Sequence, residues 1–358
     1  MNSTNQTGYI IDESFYLTIG STLAIDTLYL MVISPMGFIG FILNIISFGV
    51  LYKVKIKETK LYEYLKIYSL NSSLICLSFG FLFSSHSPRF FPDFTDYLVK
   101  IFKCRIFAYG MISLYFFNNL LDILIILDRV SIFTAKLNRL NSIKPYVLSL
   151  ILILACFLIN LSLYFSIEIT SDEIFFASNL NTYCEQTDFA KSTEGFIINA
   201  IVIIFRDIIT LIIEIICSIL VIYYYKKYEN MSLHTLVARL NQNVNNDNSN
   251  SSGSQIRPTI ETIAQNRKNN EKSIRKKEKG KQLLLMTIIL SIFSFVTHIV
   301  AAFALVFFVL IYSKRNITFY SIVAFGCFIM IFKHFSTIFI FYFFNVNFKK
   351  QLIKMFFK

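Results

Sequence analysis

Six ionisable residues stand in stretches otherwise too apolar to hold them: Asp122, Arg206, Asp207, Glu214, His298 and Lys333. An isolated charge in hydrocarbon is costly, so such residues pair, hydrogen-bond within a bundle, or line a wet cavity. Asp207 and Glu214 share one helix face, while the adjacent Arg206 and Asp207 point about 100° apart and need different partners. Arg206 is then the best placed of the six to meet an acidic ligand group. The plain alternative for each is a structural hydrogen bond. A further pair, Asp128-Arg129, ends one of the apolar runs. The motifs of catalysis are absent: there is no CxxC, HExxH, GxSxG or phosphate loop, and His86, His234, His298 and His334 lack metal-ligand spacing. The chain is expected to be neither an enzyme nor a cofactor or metal protein.

The elements that must position these charges follow from composition. Hydrophobic residues make up 55% of the 358, charged ones 16%, and Phe alone contributes 39. Against a usual charged share of roughly 25%, this excludes disorder and an ordinary soluble fold. Apolar segments at about 28–52, 65–85, 103–127, 145–167, 196–224, 283–312 and 318–344 are each long enough to span a bilayer. The expected fold is an all-α membrane bundle of seven transmembrane helices. The net charge of +12 does not indicate nucleic acid, because the basic residues cluster in a few loops between spans. With the N-terminus outside, 25 Lys and Arg fall on inner segments and seven outside, as the positive-inside rule requires. Residues 1–27 are expected to be extracellular and glycosylated at Asn2 and Asn5, each in an N-x-S/T sequon. Residues 28–344 form the seven-helix domain, and 226–282 form a long inner loop whose Asn/Ser-rich, then basic, middle cannot bury enough apolar surface to fold alone. The topology leaves Cys104 and Cys184 as the two cysteines in an oxidising compartment, so they are expected to form a disulfide.

Cys104 and Asp128 are 24 residues apart, about 36 Å of helix, so one helix carries the outer cysteine at one end and the Asp128-Arg129-Val130 triplet at the other. This resembles the rhodopsin-like G-protein-coupled receptors, whose third helix runs from the disulfide cysteine to an Asp/Glu-Arg-Tyr triplet. Asn44 looks like the family's span-one asparagine, and Leu137, eight residues after Arg129, stands where the family places an apolar residue that docks into the G protein. Residues 345–358 look like the amphipathic eighth helix, expected over 343–357 with Phe348, Leu352, Met355 and Phe356 toward lipid and lysines toward headgroups. Val130 replaces the tyrosine of the triplet, the chain has no Trp, and the span-six and span-seven proline motifs are missing. Asn71 stands for the family's span-two aspartate. Such erosion is similar to that of divergent invertebrate peptide and chemosensory receptors. The family's architecture sets span seven beside span three, so Asp122 and Lys333 are expected to pair, forming with Asn71 a polar network inside the bundle.

The resemblance implies a multi-pass plasma-membrane receptor that takes an extracellular ligand and signals through Asp128, Arg129 and Leu137 to a heterotrimeric G protein. Met111, seven residues after Cys104, occupies the position at which amine receptors carry an aspartate, so a peptide is favoured over a monoamine. The acidic outer segment 168–194 suits a basic peptide. Met111, Ile112, Tyr115, Arg206 and His298 form the candidate ligand pocket. The rival expectation is a seven-span transporter or channel that uses the intramembrane charges as a substrate path.

Overall fold

Ser34, Gly37, Gly40, Asn44 and Ser47 recur every three or four residues, and in the computed structural model all five are buried on one face of a helix. Ile39, Ile42 and Ile45, interleaved with them, point outward. Small and polar residues inside with large apolar ones outside is the pattern a bilayer favours, because lipid offers no penalty to exposed isoleucine and close helix contact needs small side chains.

The structure describes residues 27–54, 60–81, 101–133, 143–169, 184–227, 280–300 and 317–356. Within them seven long helices follow one another: α1 (Tyr29–Lys53), α2 (Leu61–Gly80), α3 (Phe102–Met111 continuing as Ile112–Phe133), α4 (Pro145–Ser166), α5 (Thr193–Lys227), α6 (Gly280–Val300) and α7 (Ile317–Phe344). The short α8 (Val346–Phe356) completes the order. All but α2 are long and apolar enough to cross a membrane. α2 is diluted by Ser69, Asn71, Ser72, Ser73 and Ser78, but its 20 residues still span about 30 Å. It begins earlier in the chain than the expected 65, since Leu61, Tyr62, Tyr64 and Leu65 are all drawn into the core; residues 82–85 lie outside the described residues. Between α4 and α5 the sequence reading missed a short antiparallel ribbon, Ile167–Ile169 with Cys184–Gln186.

α1 and α2 come into backbone contact at Gly37. A Cβ there would sit 2.8 Å from the Cys76 carbonyl oxygen and collide with the Gly80 amide, whereas at Gly49 it would meet open space. Gly37→Val should therefore force the two helices apart, at a cost of about 1–3 kcal/mol or more for overpacking. Thermal unfolding of detergent-solubilised protein should show a clear loss for Gly37→Val and none for Gly49→Ala.

α3 is central, with Met111, Tyr115, Phe116, Leu121, Ile126 and Val130 buried along its length. Its C-terminal half packs with Tyr68, Leu290 and Phe341, and its N-terminal half with Ile75, Phe79 and Ile331. α5 is the most peripheral. It presents a row of isoleucines outward and buries one stripe, Asp207, Thr210, Glu214, Cys217 and Val221, at alternating steps of three and four residues. Phe348 departs from the expectation that it faces lipid: it is fully buried, edge-on to Phe341 with ring centroids 5.5 Å apart. The reason is the sharp turn at Asn345, whose Oδ1 accepts the Phe348 N–H at 3.1 Å and the Tyr62 hydroxyl at 3.1 Å. The helix consequently starts at Val346 rather than near 343, with its first large residue tucked under α7.

Candidate functional site

The charged residues of α3, α5, α6 and α7 converge in the middle of the bundle, because each lies on the one polar stripe its helix turns inward. Lys333 on α7 donates to Asp122 Oδ2 at 2.9 Å, to Ser294 Oγ on α6 at 3.1 Å and, at the limit of hydrogen bonding, to Asn119 Oδ1 at 3.5 Å. An ammonium has three N–H donors, and each finds an acceptor. Lys333 and Asp122 are almost completely buried, at 1% and 2% exposure, so their attraction is not screened by water and each charge depends on the other. Tyr115 places its ring 6.0 Å from the same ammonium.

Beside this pair, His298 Nδ1 on α6 lies 3.2 Å from Glu214 Oε2 on α5, both fully buried. Tyr115 stands edge-on to the His298 ring with centroids 6.1 Å apart. Glu214 and His298 thus bring the peripheral α5 against α6 by close approach, neither facing atom making a hydrogen bond, and Tyr115 lies between them and the Lys333 centre.

A second polar seam runs toward α1. The Asn44 side-chain amide donates to the Gly40 carbonyl at 2.8 Å and across to the His334 carbonyl on α7 at 3.0 Å. Asn71 donates to the Leu114 carbonyl at 2.9 Å and to Asn118 Oδ1 at 3.2 Å. Ser72 reaches the same Asn118 oxygen at 3.4 Å, and His334 Nδ1 lies 3.1 Å from the Ser72 hydroxyl. Asn118, Asn119, Ser72, Ser294 and His334 were not singled out from the sequence. Their signal was present in the paired amides Asn118-Asn119 four and three residues before Asp122, and in Ser294 one turn before His298.

Arg206 and Asp207 depart from the expectation of separate partners. The Arg206 guanidinium grips the neighbouring carboxylate with two bonds, Nε to Oδ1 at 2.9 Å and Nη2 to Oδ2 at 2.6 Å. The long arginine side chain folds along its own helix, and a π-helical turn over Ile204–Ile209 holds both residues. Arg206 and Asp207 are therefore each other's partners. Met111 and Tyr115 are buried in one core cluster with Ile75 and Phe79, and Ile112 is half-buried.

Toward the C-terminal end of α3, Arg129 Nη2 donates to Asp128 Oδ2 at 2.6 Å, with both side chains over nine-tenths buried. Asn2, Asn5 and Leu137 lie outside the described residues, as do the side chains of Cys104 and Cys184. The backbone places Cys104 at the N-terminal end of α3 and Cys184 opposite Ile169 in the ribbon.

The bundle is similar to the crystal structure of squid rhodopsin, with a TM-score of 0.61 over 94% of this chain and 86% of that chain, at 13% identity. The chain has the rhodopsin-like fold. No family model matches the sequence, and no curated protein is detectably similar to it. In the rhodopsin-like fold the buried charges occupy the centre of the bundle and Asp128-Arg129 the opposite end from the ribbon, so the two sites are separate stations along one helix.

Proposed function

We propose that the protein is a plasma-membrane receptor coupling an extracellular ligand to a heterotrimeric G protein. The observation that carries this reading is the Asp128–Arg129 ion pair at the inner end of the central helix of a rhodopsin-like bundle. A ligand bound outside favours a minor arrangement of the bundle, in which α6 moves outward and Arg129 leaves Asp128. Arg129, Leu137 and the basic ends of segment 226–282 then meet the G protein. Lys333 has a place in this shift, since it holds α6 through Ser294 and α3 through Asp122. Outward movement of α6 breaks the first bond and keeps the second. A tethered ammonium thus stands where the family binds a mobile sodium ion, with Asn71 in place of the span-two aspartate.

Met111, Ile112, Tyr115 and His298 line the floor of the ligand site in this reading. Met111 supplies no carboxylate for an amine, and the acidic segment 168–194 attracts a basic peptide. Residues 1–27 lie outside with glycans at Asn2 and Asn5, and 226–282 lies inside. The transporter reading gains no support from the charges, because Asp122, Arg206, Asp207, Glu214, His298 and Lys333 contact one another within the described bundle.

A peptide-library screen with a promiscuous G-protein readout tests the proposal. A ligand-dependent G-protein signal without ion or solute flux is expected, and charge movement in cells lacking G protein would overturn it. A bridge between Cys104 and Cys184 ties the ribbon to α3 in the same reading. Cys104→Ser and Cys184→Ser should each retain the receptor inside the cell or abolish ligand response. Mass spectrometry of non-reduced protein that found both thiols free would remove the bridge.

A further inference from the structure

Three carboxylates are buried in the middle of the described bundle, and two of them have a fixed cation: Asp122 has Lys333, and Asp207 has Arg206. Glu214 faces His298 instead, a side chain that is a cation only when both ring nitrogens carry a hydrogen. Both members of this pair are withdrawn from solvent, at 2% and 0% exposure. Among the described residues, neither Glu214 oxygen and neither His298 nitrogen has a hydrogen-bond partner.

The surroundings do not supply the missing positive charge. On α3, Asp122 lies within electrostatic reach of both Glu214 and His298 and adds a second negative charge. Tyr115, also on α3, offers the His298 ring an uncharged edge at 6.1 Å. On α7, Lys333 reaches Glu214 at longer range, but its ammonium is already balanced by Asp122 and its hydrogens go to Asp122, Ser294 and Asn119. On α5 itself, Arg206 is bound to Asp207, and Cys217 stands one turn beyond Glu214. Ser294 and Thr297 on α6 are neutral. A carboxylate without a counter-charge is costly at this depth. One proton removes the excess, whether His298 takes it and becomes the cation or Glu214 takes it and loses its charge.

We propose that Glu214 and His298 hold one exchangeable proton between them, and that this proton keeps α6 against α5. The peripheral α5 depends on such a contact, because it buries a single stripe and otherwise meets α6 through Cys217, Val221 and Leu284. With the proton in place the pair is neutral overall and closes to 3.2 Å. Without it the bare carboxylate gains by meeting water, which it does when α6 moves away. The proton comes from water and returns to it. The closed arrangement therefore holds one more proton than the opened one, so acid favours closure, and the ratio of opened to closed rises with pH by at most about tenfold per unit. The interval concerned is about pH 5 to 8, in which histidine changes charge. The site rests on the receptor reading for the direction in which α6 moves, and within that reading the proton opposes the extracellular ligand.

Thermal unfolding of the full-length protein in detergent tests the site, at steps from about pH 5 to 8, in wild type, Glu214→Gln and His298→Lys. The glutamine removes the excess negative charge and keeps the shape, and the lysine supplies a cation that does not titrate in this interval. The wild-type midpoint should fall relative to both variants as pH rises. His298→Lys keeps the comparison decisive if Glu214→Gln does not fold. A wild-type midpoint that tracks the variants at every pH would overturn the proton site. Spin labels on unnatural side chains at positions 227 and 281, near the C-terminal end of α5 and the N-terminal end of α6, read the clamp. The separated population should rise with pH in wild type, by up to about tenfold per unit, and stay level in His298→Lys. A separation that ignores pH, or that responds equally in His298→Lys, would overturn the clamp. Neither measurement contains a G protein, so failure of the receptor reading shows in the peptide screen and not here.

Discussion

Asp122→Asn and Lys333→Met should each sharply reduce the amount of protein at the cell surface, and the double variant should recover much of it. Either single change leaves one fully buried charge without its counter-charge, a loss of about 3–5 kcal/mol in comparable pairs, whereas removing both partners together is often close to neutral. The geometry sharpens this expectation. Lys333 would keep Ser294 and Asn119 after loss of Asp122, but both are neutral acceptors and cannot balance its charge. Asp122 in Lys333→Met fares worse, since Asn119 and Ser294 face the ammonium and Asp122 Oδ1 already lacks a hydrogen-bond partner. Flow cytometry of an N-terminal epitope, with total protein as the denominator, measures the cycle. Simple additivity of the two single effects would mean that the two residues are not energetically coupled.

The other large effect, in the receptor proposed above, belongs to the Asp128–Arg129 end of α3. Asp128→Asn should raise basal signalling, and Arg129→Ala should remove coupling while surface expression persists. A buried charge-assisted hydrogen bond contributes about 1.5–3 kcal/mol, so its loss shifts a two-state equilibrium by roughly ten- to a hundredfold toward the arrangement in which Arg129 is released. The asparagine preserves the size of the side chain and can still accept a weaker bond, which places Asp128→Asn near the lower end. Concentration–response curves in cells with a matched G protein read both variants. Wild-type coupling in Arg129→Ala would dissociate this arginine from signalling.

The number of spans was legible in the sequence because a bilayer imposes a length and an apolarity that survive without conserved motifs. Span edges were less so. The start of α2 at Leu61 reflects burial of tyrosines whose apolar rings and polar tips suit either environment, so hydropathy alone does not place them. The approach of Asp122 to Lys333 followed from opposite charges at depth plus the neighbourhood of two helices. The Arg206–Asp207 contact was missed because helical angles describe where side chains leave the backbone, not where a four-bond arginine can bring its guanidinium. Phe348 was missed for a related reason: periodicity assigns a face to α8 but cannot tell that a turn at Asn345 rolls the first residue of that face under α7. The Asn71–Asn118–Ser72–His334 seam was hidden because small polar residues in spans are common and each looks unremarkable until the fold sets them side by side.

The separation of Lys333 from Asp122 by 211 residues has a consequence for how the protein is made. The ribosome delivers α3 to the membrane long before α7, so Asp122 spends the synthesis of most of the chain without its counter-charge. During that interval α3 has no reason to leave the polar environment of the insertion machinery, or the company of a chaperone, for open lipid. The Gly37 face of α1 and α2 can close as soon as both are present, since its contacts lie within the first 80 residues. Assembly is thus ordered in time: an early hairpin seals by shape, and the bundle is completed only when the last span arrives carrying the missing cation. A chain terminated anywhere before Lys333 should accordingly be held and degraded in the endoplasmic reticulum, however many of its spans have been inserted.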